Sequence, residues 1–291
     1  MIMANLKKNH LKYLPILVIA CALFLGFSSR QQKPKKNIGL QLWSVRDVIK
    51  TDLKGTIASI GKMGYSNIEA AGYGDGKFYG MEPTEFKTLV EKSGLAFLSS
   101  HTGQNLPDAA SWDKTMAWWD QCIAAHKAAG VKYIVQPSMG KDAYESLATL
   151  KAYCDYFNTV GEKCNAAGIR FGYHNHDKEF MELESEIMYD FMLKNTDPNK
   201  VMFQLDLFWI KKGGKNALDY FNNYPGRFEL WHVKDKAELG NKPTMDFKPA
   251  FEAKEKSGMK YFFVEVEEYN FPPLESVKKS LQFLNKAEYI K

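Results

Sequence analysis

The chain has few cysteines, no CxxC pair, no glycine-rich phosphate fingerprint after its first strand, and no basic excess outside its N-terminus. Its four cysteines in 291 residues are Cys21, Cys122, Cys154 and Cys164. So sparse a set does not make a disulfide framework. Cys154 and Cys164 fall in one expected helix, too far apart along it to bridge, and the three beyond Cys21 read as small buried apolar side chains. The missing fingerprint lowers the case for a dinucleotide-binding doubly wound sheet. The formal net charge is +5, yet Lys7, Lys8, Lys12, Arg30, Lys33, Lys35 and Lys36 fall in the first 36 residues beside no acid, which leaves the rest at about −2. A nucleic-acid partner needs basic residues clustered on the folded domain, and this distribution gives it no support.

One long apolar run stands out, residues 11–27, after a lysine-rich start. It has the n-region and h-region of a secretory signal and is slightly short for a transmembrane helix. Val18-Ile19-Ala20-Cys21 is similar to a lipoprotein signal, although the apolar residues after Cys21 argue against that cut. Residues 1–29 are expected to be a signal peptide or N-terminal anchor, 30–36 a basic linker, and 37–291 one domain. The domain is then exported, periplasmic or anchored facing the periplasm of a Gram-negative cell. Membrane contact is expected only through the N-terminal segment, if that segment stays uncleaved or is lipidated, and a homo-oligomer is left open.

From residue 38 the pattern alternates. Strands are expected over 38–42, 67–71, 95–100, 133–135, 170–173, 201–205, 228–231 and 261–264. Helices are expected over 53–63, 83–93, 112–129, 143–167, 184–195, 216–224, 247–257 and 274–286. Asp52 is placed to cap the first helix, and Gly64, Gly94, Gly130, Gly168 and Gly258 follow helix ends as C′ glycines do. Eight strands alternating with eight helices call for a parallel sheet with helices outside. A single (β/α)8 TIM barrel fits best.

In such a barrel the active site lies at the C-terminal strand ends. Those ends read Gln41, Glu69, His101, Gln136, His174, Asp206, His232 and Glu265, all polar after largely apolar runs. His174, Asp206, His232 and Glu265 form a plausible divalent-metal set. Two imidazoles and two carboxylates suit Mn²⁺, Co²⁺, Fe²⁺ or Zn²⁺ better than Mg²⁺. Each residue also has a plainer role: a histidine can be a hydrogen-bonded structural group, Asp206 a cap, and Glu265 a partner for lysine. Trp43, Trp209 and Trp231 are expected beside the site, where an aromatic face can stack on a sugar or pack in the core.

At these residues the chain resembles the xylose isomerase-like barrel superfamily, in its sugar phosphate isomerase/epimerase branch. The resemblance covers about residues 37–290. It rests on Ile38-Gly39-Leu40-Gln41-Leu42-Trp43, Asn67-Ile68-Glu69, Gly172-Tyr173-His174-Asn175-His176-Asp177, His232-Val233-Lys234-Asp235 and Phe263-Val264-Glu265. It implies one divalent ion held by Glu, Asp, His and Glu, the two glutamates exchanging protons on either side of the substrate carbon. Asp206, His232 and Glu265 fill the last three places, and His174 stands where the first glutamate would be. That departure resembles the dehydratase members, such as the inosose dehydratases, and lyases of 3-keto-glycosides.

The resemblance thus implies a metal-dependent isomerase or epimerase acting on a small-molecule sugar or keto-sugar, with a dehydratase or lyase as the alternative. Glu265 would act as base, His176 would bind substrate or move protons, and Glu179 would supply the missing carboxylate. Gln41, Trp43, Glu69, His101, Gln136 and Lys234 would contact substrate. No arginine cluster at the strand ends awaits a phosphate. An exported sugar-binding barrel without chemistry is the competing class. A nuclease reading fits poorly with the near-neutral domain.

Overall fold

Eight short strands close into a parallel barrel in chain order. They are β1 (Gly39–Gln41), β2 (Asn67–Ala70), β3 (Ala96–His101), β4 (Tyr133–Gln136), β5 (Arg170–His174), β6 (Val201–Asp206), β7 (Leu230–Lys234) and β8 (Tyr261–Glu265). Each pairs with the next, and β8 returns to β1. The computed structural model describes residues 36–290. The expected signal segment, Cys21 and the linker up to residue 35 lie outside the described residues. Cys122, Cys154 and Cys164 are buried and unpaired, as expected.

Parallel neighbours need crossover connections, which here are helices covering the outer face. Strands buried on both faces read as near-continuous apolar runs, which is why their positions were visible in the sequence. Asp52 accepts from Gly55 N at the first long helix, Leu53–Met63, and Gly64 ends it with φ +108°, a left-handed conformation that suits glycine.

Several expected boundaries shift. The helix expected over 184–195 begins only at Met188. Before it, Glu182–Leu183 and Glu186–Ile187 form a hairpin. Glu184 and Ser185 both take positive φ between them, the signature of a tight hairpin turn. The long helix expected over 143–167 starts at Leu147, where Ser146 accepts from Thr149 N. The helix expected over 247–257 is interrupted at Ala253. A second hairpin joins Tyr73–Gly74 to Lys77–Phe78. An unexpected helix, Leu207–Lys212, begins directly after β6 because Asp206 caps it through Phe208 N and Trp209 N. β7 runs over Leu230–Lys234 rather than 228–231, so His232 and Lys234 are strand residues.

Inside the barrel, Leu98, Tyr133, Val135, Met202, Leu230 and Phe263 form an apolar cluster separate from the larger core. Gly172 leaves room for it, since a Cβ there would lie 2.4 Å from the Met202 methyl carbon.

Candidate active site in the barrel mouth

Side chains alternate along a strand, so two residues beyond each plug residue the chain points inward again. Gln204, His232 and Glu265 therefore follow Met202, Leu230 and Phe263 on the same face. Asp206 and Lys234 come one step further. A register shift between β2 and β3 skips Leu98 and pairs Glu69 with Ser99. This local irregularity re-aims the strand, so Leu98, Ser99 and His101 all serve the interior.

His174, Asp206, His232 and Glu265 offer ligand atoms that all lie within 4.8 Å of one another, and all four residues are buried. His101 forms a second such group with His174 and His232. Register explains the convergence: Asp206 pairs with His232, and Lys234 pairs with Glu265. Asp206 Oδ1 is used as the helix cap, whereas its Oδ2 is buried without a hydrogen-bond partner. That oxygen lies 3.9 Å from His232 Nδ1. An unpartnered carboxylate oxygen among imidazoles is what a divalent cation would satisfy, so these residues fit one.

The charges reinforce one another. Burial would lower the His232 pKa, but Glu265 and Glu69 outweigh it and push the imidazole up to about 10. Burial and the neighbouring His232 and His101 charges lower His174 well below its ordinary value, leaving a neutral imidazole ready to ligate. Burial raises Asp206 to about 7 against the pull of Lys234 and His232. Burial would likewise raise Glu265, yet the His232 and Lys234 charges hold it below the usual carboxylate range.

A cavity of about 420 Å³ opens above this cluster, lined by Trp43, His101, His174, His176, Glu265 and Glu267 among others. Trp43 is 45% exposed at its rim, with the Arg46 guanidinium 5.2 Å from its ring. The His176 ring lies 5.5 Å from that of Trp209. Lys234 is buried, bonded to Glu267 Oε1 at 2.6 Å and Glu265 Oε2 at 3.4 Å.

Other expected residues lie elsewhere. Gln136 points away from the interior that Val135 faces, and its Nε2 donates to Gln104 O and Ser138 O. Trp231 is turned outward by the same alternation and stacks on Phe221. Glu179 is buried and fully engaged, accepting from Tyr144 and Tyr173 hydroxyls and His176 N. It is not among the converging ligand atoms, so the carboxylate missing at His174 is not replaced from there. Glu69 is fully buried beneath the histidines, and Gln41 donates to it at 2.8 Å. Neither lines the cavity, so the direct substrate contacts expected of them give way to a supporting position.

Three participants were not anticipated: Ser99, Gln204 and Glu267. Ser99 and Gln204 are polar interruptions of apolar runs two residues before a strand end. That parity was the available signal. Glu267 lies two beyond Glu265.

The profile of a family described as xylose isomerase-like TIM barrel matches residues 57–287. A solved structure of a sugar phosphate isomerase/epimerase from Parabacteroides distasonis ATCC 8503 is 32% identical with a TM-score of 0.82, covering 88% of this chain and 100% of that one. An inosose dehydratase from Geobacillus kaustophilus is 22% identical over 215 residues, 67% of each chain. Its counterpart from Geobacillus thermodenitrificans is 27% identical over 160 residues, 46% of this chain and 53% of that one, so this match spans about half the relative's length.

Proposed function

This chain belongs to the xylose isomerase-like TIM barrel family, and from that premise we propose a divalent-metal-dependent enzyme that removes the proton α to a carbonyl of a keto-sugar and expels a β-oxygen substituent. The observation that carries the reading is the convergence of His174, Asp206, His232 and Glu265 around the unpartnered Asp206 Oδ2. A bound ion would supply Lewis-acid polarisation of the carbonyl, which acidifies the adjacent C–H. Glu265, steadied at Oε2 by His232 and Lys234, is the base that takes this proton. The electron pair moves to form the C=C bond as the β C–O bond breaks. His101 and His176 line the cavity, and His176, which follows β5, protonates the leaving oxygen.

Elimination is favoured over two-base epimerisation by His174. The ligand set holds an imidazole where a second proton-exchanging glutamate would stand. The inosose dehydratases among the relatives agree with this outcome. Isomerisation or epimerisation remains the second reading, because Glu267 brings another carboxylate to the cavity. No arginine lines that cavity among the described residues, which suits an unphosphorylated sugar. Export through residues 1–29, which cell fractionation would check, would bring the enzyme to such substrates.

The test is to strip the protein with a chelator, restore Mn²⁺ or Zn²⁺, and incubate with an inosose and a 3-keto-glucoside. Mass spectrometry should show metal-dependent loss of water or of the aglycone. In D₂O, a product that has lost no group and is one mass unit heavier from solvent deuterium would replace elimination with epimerisation. Full turnover after chelation would remove the metal from the reading. Binding of either sugar with no product from any keto-sugar would leave a non-catalytic binding barrel.

A further inference from the structure

We propose that Glu69 and Gln204 form a buried floor that sets the tautomers of His101, His174 and His232, turning the other ring nitrogen of each imidazole away from that floor. The inference rests on the metal reading of this site only for its consequence, not for its geometry.

Glu69 lies at the bottom of the polar layer with no solvent exposure. Its Oε1 meets Gln41 Nε2 at 2.8 Å, His232 Nε2 at 2.6 Å and His101 Nε2 at 3.2 Å. Its Oε2 meets Ser99 Oγ at 2.6 Å and Gln204 Nε2 at 2.8 Å. Gln41, Ser99 and Gln204 already present donors, so the Glu69 oxygens act as acceptors throughout. The proton of His232 that faces Glu69 is therefore on Nε2.

The same logic orients Gln204. An amide's nitrogen and oxygen are distinguished by their partners. The nitrogen must face the carboxylate, so the oxygen faces the histidines. Gln204 Oε1 lies 2.6 Å from His101 Nε2 and 3.1 Å from His174 Nδ1. An amide oxygen can only accept, so both rings donate to it. The ring nitrogens that do not face the floor are Nε2 of His174, Nδ1 of His232 and Nδ1 of His101. His232 Nδ1 is the nitrogen that faces Glu265 and Asp206. One carboxylate thus fixes one histidine directly and two more through a single amide. The tautomers of His101 and His174 that ligation needs are present before any ion arrives, and His232 has only its Nδ1 proton to give up, which lowers the cost of binding. Glu69 and Gln204 are positioning residues that act through the imidazoles.

The experiment uses the whole protein with ¹⁵N-labelled histidine. Long-range ¹H–¹⁵N spectra should show His174 protonated on Nδ1 and His101 on Nε2 in both metal-free and Zn²⁺-loaded protein, and His232 protonated on Nε2 alone once Zn²⁺ is bound. Glu69→Gln places an amide donor in the floor, so at least one imidazole must change tautomer. Calorimetry should then show Zn²⁺ binding weakened about 10- to 100-fold, the range for a lost partner of a ligating histidine. Glu69→Asp, which keeps the acceptor, should lose less. Melting curves establish that the variants are folded.

His174 protonated on Nε2 in the wild-type protein would overturn the proposal, and so would wild-type Zn²⁺ affinity in a folded Glu69→Gln. If that variant does not fold, the wild-type spectra decide alone. A wild-type protein that shows these tautomers yet binds no Zn²⁺ would uphold the floor and overturn the metal reading instead.

Discussion

His174 is the residue on which the chemistry turns. In the proposed metal site it stands where the resemblance implies a glutamate, and an imidazole ligand would move the site's preference towards Zn²⁺, Co²⁺ and Fe²⁺. His174→Glu should keep an ion but shift the preference towards Mn²⁺ and Mg²⁺, read as the ratio of dissociation constants in competition titrations. An unchanged ratio would mean that His174 does not touch the ion. Trp43 makes a separate residue-scale prediction. It is one of two large hydrophobic side chains that are exposed among the described residues, it borders the cavity, and the Arg46 guanidinium steadies its ring. An aromatic face of this kind contributes about 0.5–1.5 kcal/mol to stacking beyond area burial. Trp43→Ala should therefore raise KM roughly two- to tenfold with kcat nearly unchanged. A fall in kcat at constant KM would show that the ring acts on the reacting atoms instead.

Glu238 shows how the connecting elements are tied together. It sits after β7, almost fully buried, and its oxygens accept from Asn270 N, Asn270 Nδ2 and the Ser276 hydroxyl, clamping the segment between β8 and the last helix, Pro273–Lys286. Burial would raise its pKa, but the Ser276 and Asn270 hydrogen bonds outweigh it and lower the carboxyl from 4.5 to about 2. A depressed carboxyl stabilises the fold above its unfolded value and loses that contribution as pH falls towards its folded value. Glu238→Gln should then cost about 1–3 kcal/mol at pH 7. The difference between variant and wild type in urea unfolding should shrink as pH drops from about 4.5 towards 2. A difference that stays constant over that window would mean the carboxylate charge is not what holds the segment. Elements of this kind were only partly legible in the sequence. Buried parallel strands announced themselves as apolar runs, and Asp52 and Gly64 marked a helix at both ends. The two hairpins were too short to show a period, and the Glu184–Ser185 turn lacks the usual glycine. Strand ends identified the mouth, but not which end residues face it. Gln136 and Trp231 fell on the wrong parity. Gln204, a polar break in the apolar run of β6, bonds to His101, His174 and Glu69.

At the scale of the whole barrel, the mouth concentrates buried charge of both signs. Glu69, Asp206 and Glu265 are buried together with His232 and Lys234, and taking such groups out of water costs several kcal/mol each unless they are mutually compensated. Lys234 and the protonated His232 offset part of that cost, and Gln41, Ser99 and Gln204 supply hydrogen bonds to Glu69. Asp206 Oδ2 is left over. An ion seated there would complete the compensation and bind only the closed barrel, since the unfolded chain cannot bring four strand ends together. A ligand present at about 100 times its dissociation constant adds about 2.7 kcal/mol to the folded state. For a domain of this size that corresponds to a rise in melting temperature of about 5–10 °C. Calorimetric scans of chelated protein, with and without added Zn²⁺ or Mn²⁺, should show this rise. The rise should vanish in Asp206→Ala and His232→Ala and survive in a variant of the outer face such as Lys151→Ala. A metal-induced rise that persists in both site variants would place the stabilising ion outside the barrel mouth and leave the buried Asp206 oxygen without an explanation.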